Sequence, residues 1–162
     1  MSPRTGNEHR FVVLESPDWI NIIPITAQGE VVLIHQFRHG TRAITLEIPG
    51  GMVDAGEDAQ VAATRELREE TGYVPQTVVP LGSVDPNPAF LDNHCYSFLA
   101  LNCEQVEAPQ FDGSEDISLH LVPLADIPRL IMAGEITHAL PITAFYMLEQ
   151  YRRENPEVFA GW

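Results

Sequence analysis

The sequence predicts an α+β sandwich, in which a β-sheet packs against helices. Segments with strand composition outnumber helical ones, and the clearest helical segment, residues 58–71, lies between two groups of strands. The chain has 162 residues, of which 44% are apolar and 20% are charged, as is typical of one globular domain. We therefore expect a single domain over residues 1–162.

In the first third of the chain, short apolar and β-branched runs alternate with turn residues. The runs with strand composition cover residues 11–14, 19–26, 31–38 and 43–48. Residues 27–30, Ala-Gln-Gly-Glu, join the second run to the third and predict an antiparallel hairpin. Residues 49–51, Pro-Gly-Gly, predict a turn that closes the fourth strand.

The segment 58–71 is the best-defined helix, because Ala, Glu, Arg and Leu dominate it, proline is absent, and Gly72 supplies a stop signal. Residues 116–122 alternate apolar and polar side chains, as a half-buried strand does, and Thr137 is an expected N-cap. The remaining predicted elements are strands over residues 77–84 and 94–103, a loop over residues 104–114, and helices over residues 126–133 and 137–154.

The charge balance excludes some classes of partner. Nine arginines and no lysine stand against 23 acidic residues, which gives a net charge of −14. Such a chain repels nucleic-acid polymers and anionic membrane surfaces. The start of the sequence lacks the apolar run of a signal peptide, so we expect a cytoplasmic protein. Cys95 and Cys103 are expected to be buried free thiols, because no second pair completes a zinc site.

One helix carries a cluster of carboxylates. Glu66, Glu69 and Glu70 are spaced three and four residues apart, so their side chains share one face of the predicted helix. Arg65 lies four residues before Glu69 and pairs with only part of this charge. Clustered hard oxygen donors suit Mg²⁺, or Mn²⁺, which also bind phosphate oxygens. The alternative is a solvated acidic face without a ligand.

The flanking residues complete a recognisable motif. Residues 51–73, GMVDAGEDAQVAATRELREETGY, match the pattern G-x5-E-x7-R-E-U-x-E-E-x-G-U, in which U is a bulky apolar residue. Only Tyr73 departs from it, since an aliphatic residue is usual there. The sequence therefore resembles the Nudix hydrolases, and residues 51–73 form its Nudix box. The matching residues are Gly51, Glu57, Arg65, Glu66, Leu67, Glu69, Glu70 and Gly72.

The resemblance implies an α/β/α sandwich with a mixed sheet and metal-assisted hydrolysis of a nucleoside diphosphate linked to another group. It implies Glu66 and Glu70 as principal metal ligands, with Glu69 and the Gly50 carbonyl as further ones. It also implies that Glu57 and Arg65 orient these ligands, and we count Glu57, Arg65 and Glu69 as catalytic.

Outside the box, the chain resembles the Nudix branch that cleaves ADP-ribose and other nucleoside diphosphate sugars. The residues that carry this resemblance are Gln36, Phe37 and Arg38, the run 46–51, and Pro88. Arg38 and Arg42 are the arginines placed to contact a diphosphate, and the resemblance favours Arg38; the alternative is a solvent-exposed strand arginine. The resemblance also implies that Glu47 belongs to the substrate site. It also implies a general base in the loop after the box, for which Glu115 is our choice, with Asp112 and Asp116 as alternatives.

Two further residues are candidate substrate contacts, each with a structural alternative. Trp19 is placed to stack on a base, or else packs in the core or at a dimer contact. Asn87 is placed to contact a sugar, or else occupies its turn for backbone reasons. The branch often forms homodimers through exchanged N-terminal strands, so residues 11–14 are expected to pair with a second copy.

Two other functions compete with hydrolysis of a nucleoside diphosphate sugar. One is a Nudix hydrolase of nucleoside triphosphates or dinucleoside polyphosphates. The other is a module that senses a nucleotide without cleaving it, which the intact box disfavours.

Overall fold

The computed structural model describes residues 2–110 and 117–162, in which eight strands form. These are β1 (Trp19–Thr26), β2 (Glu30–Arg38), β3 (Ala43–Glu47), β4 (Gly50–Met52), β5 (Tyr73–Val74), β6 (Thr77–Val84), β7 (Cys95–Gln105) and β8 (Ile117–Pro123). The helices are α1 (Ala59–Thr71), α2 (Ile127–Met132) and α3 (Ala139–Glu154), with 3-10 turns at Leu124–Asp126 and Pro156–Phe159. Within the described ranges, every helix is too short or too polar to cross a bilayer.

The strands form one mixed sheet, which confirms the predicted fold class. The central order is β3-β2-β1-β7-β5, while β4 pairs with β1, β6 with β7 and β8 with β2. Strands β1 and β7 run parallel, and the other pairings are antiparallel. The predicted hairpin is present, since β1 and β2 pair at Ile25 and Val31.

Strand β1 is buried on both faces and separates two apolar layers. Ile20 and Ile22 pack in one cluster with Ala62, Ala63 and Leu67 of α1. On the other face lies a second cluster, which contains Ile23 and Ile25 of β1, Ile127 and Leu130 of α2, and Ala144, Phe145 and Leu148 of α3. Apolar side chains on both faces explain why β1 reads as a continuous apolar run. The sheet is thus the middle layer of a sandwich.

Local signals fix both ends of α1. The Asp58 side chain accepts hydrogen bonds from the backbone N–H groups of Gln60 and Val61, so it is the N-cap of the helix. At the other end Gly72 adopts φ 73°, in the left-handed region, and its N–H donates to the carbonyl of Arg68. The predicted helix over residues 58–71 is confirmed, with its first residue serving as the cap.

Strand β4 corrects the prediction for residues 49–51. Gly50 and Gly51 form a strand with Met52, antiparallel to β1, instead of a turn. A Cβ atom on Gly50 would lie 2.5 Å from the carbonyl oxygen of Ile20, so only glycine allows this backbone contact. A pairing with residues about thirty positions earlier in the chain leaves no local signal in a Pro-Gly-Gly sequence.

The predicted strand over residues 11–14 does not form in this chain. Leu14 makes a single parallel bridge with Leu91, and its N–H donates to the carbonyl of Phe90 at 2.8 Å. The side chains stay exposed, with exposed fractions from 52% at Leu14 to 81% at Phe11. Within the described residues this run pairs only through that one bridge, and apolar composition alone does not make a strand.

Two smaller predictions also need correction, while that for the cysteines holds. His138, not Thr137, occupies the N-cap position of α3, and its side chain makes no capping hydrogen bond. In β8 the alternation breaks, because Leu121 is 40% exposed while Val122 is buried. Cys95 and Cys103 are buried free thiols as predicted, and burial raises the pKa of both to about 12.

Gly72 provides a test of the backbone that joins α1 to β5. Replacement by alanine strains the left-handed φ and drives a Cβ into the carbonyl of Glu107, whereas Gly134, at φ 74°, has open space around it. We expect Gly134→Ala to lower the free energy of unfolding by about 1 kcal/mol and Gly72→Ala to lower it by at least about 2 kcal/mol. Urea unfolding followed by circular dichroism measures both, and equal losses would contradict the close contact.

Candidate active site

The guanidinium of Arg65 joins the carboxylates of the box. Its Nε donates to Glu57 at 3.0 Å, and its Nη1 donates to Glu66 at 2.7 Å and to Glu69 at 3.2 Å. Its Nη2 donates to Glu57 at 2.9 Å and to the carbonyl of Met52 at 3.2 Å. Donation to Glu57 raises the pKa of Arg65, and the hydrogen bonds that Glu57 accepts from Arg65 and from the Asp54 N–H lower the pKa of Glu57. Arg65 therefore holds the start of the box, α1 and β4 together.

The two glycines of β4 bring the backbone against the carboxylates of α1. The N–H of Gly50 donates to Glu70 Oε2 at 3.0 Å, and Glu70 is only 2% exposed. The Glu66 carboxylate occupies the space that a Cβ of Gly51 would fill. Gly51 is thus required by close packing against the Glu66 carboxylate, and Gly50 is required by its close approach to the backbone of β1. This packing explains at the atomic level why glycine precedes the glutamates in this motif.

A cavity of about 640 Å³ adjoins this backbone and contains four of the residues predicted for the substrate and metal sites. Its lining includes Trp19, Arg38, Glu47 and Gly50. The first turn of α3 closes one side of it, from His138 onward. The cavity therefore reaches from the indole of Trp19 to the strand that contacts Glu70.

Within the cavity, Glu47 is the centre of a buried polar network. Its carboxylate receives two hydrogen bonds from Arg38, from Nε at 2.9 Å and from Nη2 at 2.8 Å, and a further one from the hydroxyl of Thr45. Nδ1 of His138 lies 2.6 Å from Glu47 Oε2. Burial by itself raises the pKa of Glu47, but the hydrogen bonds from Arg38, His138 and Thr45 outweigh it and hold the pKa below its ordinary value.

The ion pair between Glu47 and Arg38 also fixes the position of the Arg38 guanidinium at the cavity. The hydrogen bond to Glu47 raises the pKa of Arg38, and the nearby charge of Glu70 adds to this effect. The Arg38 side chain is 42% exposed, whereas that of Glu47 is 2% exposed. A buried carboxylate thus holds a partly exposed guanidinium at the cavity, in a planar two-point contact that lysine does not make.

The predicted metal ligands have suitable chemistry but do not form a ready-made cluster. Within residues 2–110 and 117–162, no three acidic, histidine or cysteine side chains are grouped as metal ligands. Glu66 and Glu69 are instead turned toward Arg65, and Glu70 toward Gly50. Carboxylate oxygens beside a glycine backbone are the donors that Mg²⁺ prefers. The residues therefore fit a hard divalent cation, and the ligand set stays a prediction.

Asn87, a predicted substrate contact, is not among the residues that line the cavity. Asn87 lies in the turn before β7, where its carbonyl accepts hydrogen bonds from the N–H groups of Phe90 and Leu91. Its role in sugar binding stays a prediction. Glu115 and its alternatives, Asp112 and Asp116, lie outside the described residues.

The sequence analysis missed three residues that line the cavity. Thr45 and His138 both contact Glu47, but His138 is 91 residues away in the sequence, which leaves no local signal. Asn21 is the third, and it is a buried amide in an otherwise apolar part of β1. The sequence did contain a signal for Asn21, because a polar residue inside an apolar strand indicates a functional position.

Comparison with known proteins identifies relatives that are similar in sequence. The chain is 27% identical over 145 residues to an ADP-ribose pyrophosphatase of Bacillus subtilis (strain 168), covering 89% of this chain and 78% of that protein. It is 31% identical over 132 residues to an ADP-ribose pyrophosphatase of Mycobacterium tuberculosis, covering 80% of this chain and 64% of the relative.

A solved structure and a family model extend the comparison to fold and family. The crystal structure of an ADP compounds hydrolase superposes with a TM-score of 0.77 at 23% identity, over 85% of this chain and 74% of that one. At this identity the similarity establishes the fold alone. The NUDIX domain model matches residues 17–142, which is most of the chain. The chain therefore belongs to the Nudix family and is a Nudix pyrophosphohydrolase.

Proposed function

We propose that the chain hydrolyses the diphosphate bond of ADP-ribose or another nucleoside diphosphate sugar. The products are a nucleoside monophosphate and a sugar phosphate, and the cofactor is Mg²⁺, for which Mn²⁺ can substitute. The observation that carries the proposal is the position of Gly50, which lines the cavity that holds Arg38 and Trp19 and also donates to Glu70. A diphosphate in the cavity then lies between the Arg38 guanidinium and the carboxylates of α1.

Arg38 is the proposed anchor for the diphosphate. Its Nε and Nη2 are bound to Glu47, and its Nη1 makes no hydrogen bond with the described residues, so this group is available to a phosphate oxygen. We assign Glu47 a positioning role, because its carboxylate oxygens are bound to Arg38, Thr45 and His138. Trp19 supplies a flat apolar surface for the base in the same cavity.

The carboxylates of α1 are the proposed metal ligands. Glu66, Glu69 and Glu70 would hold the cation together with the Gly50 carbonyl, while Arg65 and Glu57 orient them. A bound divalent cation neutralises the diphosphate and lowers the pKa of a water molecule that attacks phosphorus. Arg65 restrains Glu66 and Glu69 on the same side of α1 before a metal binds.

The general base is proposed from the sequence alone. We infer that Glu115 accepts the proton of the attacking water, with Asp112 and Asp116 as the alternatives in the same acidic loop. The box carboxylates support this division of roles. Glu66 and Glu69 are bound to Arg65, and Glu70 is bound to the Gly50 N–H, so their charge is engaged in holding the site.

A second copy of the chain is the proposed partner. Phe11, Val12, Val13 and Leu14 are between 52% and 81% exposed, which leaves an apolar segment uncovered next to Leu91. A strand exchanged with a second copy would bury it. Sedimentation velocity tests the dimer, and a monomer at micromolar concentration would contradict it.

The buried free thiols of Cys95 and Cys103 support a cytoplasmic location, which cell fractionation tests.

The substrate class is tested by product analysis. With Mg²⁺ present, we expect ADP-ribose to give AMP and ribose 5-phosphate in equal amounts, separated by ion-exchange chromatography. The comparison panel contains other nucleoside diphosphate sugars, dinucleoside polyphosphates and deoxynucleoside triphosphates. Release of pyrophosphate from the triphosphates without cleavage of ADP-ribose would contradict the proposal, as would tight binding of ADP-ribose without turnover over a broad range of Mg²⁺ and Mn²⁺ concentrations.

The metal ligands and the general base are separated by two substitutions. Glu70→Gln keeps the shape of the side chain and an acceptor for the Gly50 N–H, so we expect an intact fold, a kcat lower by about 10² or more, and a higher Mg²⁺ requirement. Glu115→Gln is expected to lower kcat without changing the Mg²⁺ requirement. Rates are measured across a Mg²⁺ titration, with Glu149→Gln as a surface control. An unchanged kcat in Glu70→Gln refutes the ligand assignment, and full activity of Glu115→Gln moves the base to Asp112 or Asp116.

The positioning role of Glu47 predicts a pH-dependent effect on stability. Because its pKa is lowered by folding, its contribution is fully present above the pKa of the unfolded chain and is lost as the pH falls toward the folded value. We expect Glu47→Gln to lower the free energy of unfolding by about 2 kcal/mol at pH 7, and by less at pH 3.

The same variant separates positioning from folding. Because Arg38 loses its two-point contact, we expect the KM for ADP-ribose to rise about tenfold, with a smaller change in kcat. Urea unfolding at pH 7 and pH 3 and steady-state kinetics are the measurements. A stability difference from wild type that is the same at both pH values would contradict the role of the Glu47 charge.

A further inference from the structure

Asn21 is a buried polar residue whose side chain has no partner in the described structure. It is 5% exposed and lies between Ile20 and Ile22, which are 2% and 0% exposed. Within residues 2–110 and 117–162, neither its Oδ1 nor its Nδ2 makes a hydrogen bond. Buried amides in native proteins are almost always hydrogen-bonded, so an amide without partners requires an explanation.

The position of Asn21 indicates where its partner comes from. Asn21 lines the 640 Å³ cavity that also contains Trp19 and Arg38. In the sheet it lies opposite Gly50 of β4 on one side and Ser97 of β7 on the other, so its backbone is held by two neighbouring strands. Asn21 is therefore held at the cavity in a rigid position, as a ligand-binding group is.

The two unpartnered atoms of Asn21, Oδ1 and Nδ2, restrict which ligands can bind to it. Oδ1 needs a donor and Nδ2 needs an acceptor, so one ligand must supply both within a short distance. A phosphate oxygen only accepts, and it would leave Oδ1 without a partner. The edge of adenine has an exocyclic amino group next to a ring nitrogen, and an asparagine amide pairs with this edge through two hydrogen bonds.

Trp19 supplies the second element of a base site. It precedes Asn21 by two residues on β1, so both side chains lie on the same face of the strand, about 7 Å apart along it. Both line the same cavity. An aromatic ring that offers a stacking surface beside a paired donor and acceptor is the arrangement with which proteins bind single bases.

We propose that Asn21 is an adenine-recognising residue of this enzyme. Its Oδ1 accepts a hydrogen bond from the exocyclic amino group, its Nδ2 donates to the adjacent ring nitrogen, and the ring stacks on Trp19. The inference rests on the proposed function, because it assigns the nucleoside end of that substrate to the part of the cavity beside β1. Asn21 thus selects the base, while Arg38 binds the diphosphate.

The test is a cycle that combines one change in the protein with one in the ligand. Wild type and Asn21→Leu are each titrated calorimetrically with AMP and with purine riboside 5′-monophosphate, which lacks the amino group. We expect wild type to bind AMP about tenfold more tightly than the analogue, as the loss of one buried hydrogen bond predicts, and Asn21→Leu to bind both equally. Ribose 5-phosphate, which has no base, is the third ligand.

Thr26→Val is the matched protein control. Thr26 is a buried polar residue of the same strand, lies outside the cavity lining, and accepts hydrogen bonds from the N–H groups of Gln28 and Glu30. We expect this control to lower the melting temperature and to keep the tenfold preference for AMP. Asn21→Leu is expected to keep or raise the melting temperature, because it removes an amide without partners. A purely structural asparagine would behave in the opposite way.

Each other outcome overturns the inference. A preference for AMP that survives in Asn21→Leu removes the amide from base recognition, and an equal loss of ribose 5-phosphate affinity assigns it to the sugar. Wild type that does not distinguish AMP from its analogue contradicts an adenine site. The proposed function is judged separately on the same wild-type sample by cleavage of ADP-ribose. Failure of cleavage with an intact AMP preference therefore overturns the reaction and not the base site.

Discussion

The carboxylates of Glu66, Glu69 and Glu70 on one side of α1 repel one another, and the rest of the site depends on how Arg65 holds the first two. A guanidinium presents several N–H donors in a rigid plane, so one side chain can bind Glu57, Glu66, Glu69 and a strand carbonyl at once. Because the donors are fixed relative to each other, the acceptors are fixed too. The charge that would destabilise an isolated helix becomes the feature that attaches this helix to the sheet.

Close approach of the backbone is the second constraint, and glycine satisfies it. Gly50 contacts β1 on one side and Glu70 on the other, and Gly51 leaves room for the Glu66 carboxylate. A side chain at position 50 would push β4 away from β1, and one at position 51 would push it away from α1. The position of β4 also shapes the cavity. Strand β4 contacts the carboxylates of α1 and lines the space in which Glu47 holds Arg38. A charged pair can lie here because each partner is hydrogen-bonded.

Much of the fold and of the box was predictable because its signals are local. The capping Asp58, the terminal Gly72 and the three- and four-residue spacing of glutamates act within one helix, so α1 and its carboxylate face followed from the sequence. The hairpin of β1 and β2 followed from its short turn. Strand β4 and the uncovered residues 11–14 did not, because a strand exists only where another strand accepts its hydrogen bonds.

Local sequence specifies which groups are in the site: the carboxylates that share a helix face, the arginine that pairs with them and the glycines beside them. The contacts that these groups make depend on how distant segments pack. His138 reaches Glu47 across 91 residues, and Asn21 enters the same cavity as Arg38 only because β1, β2 and the start of α3 converge there. The difference arises because the spacing of residues on a helix acts over a few positions of the sequence. Burial and strand pairing depend instead on contacts between segments that are distant in the sequence.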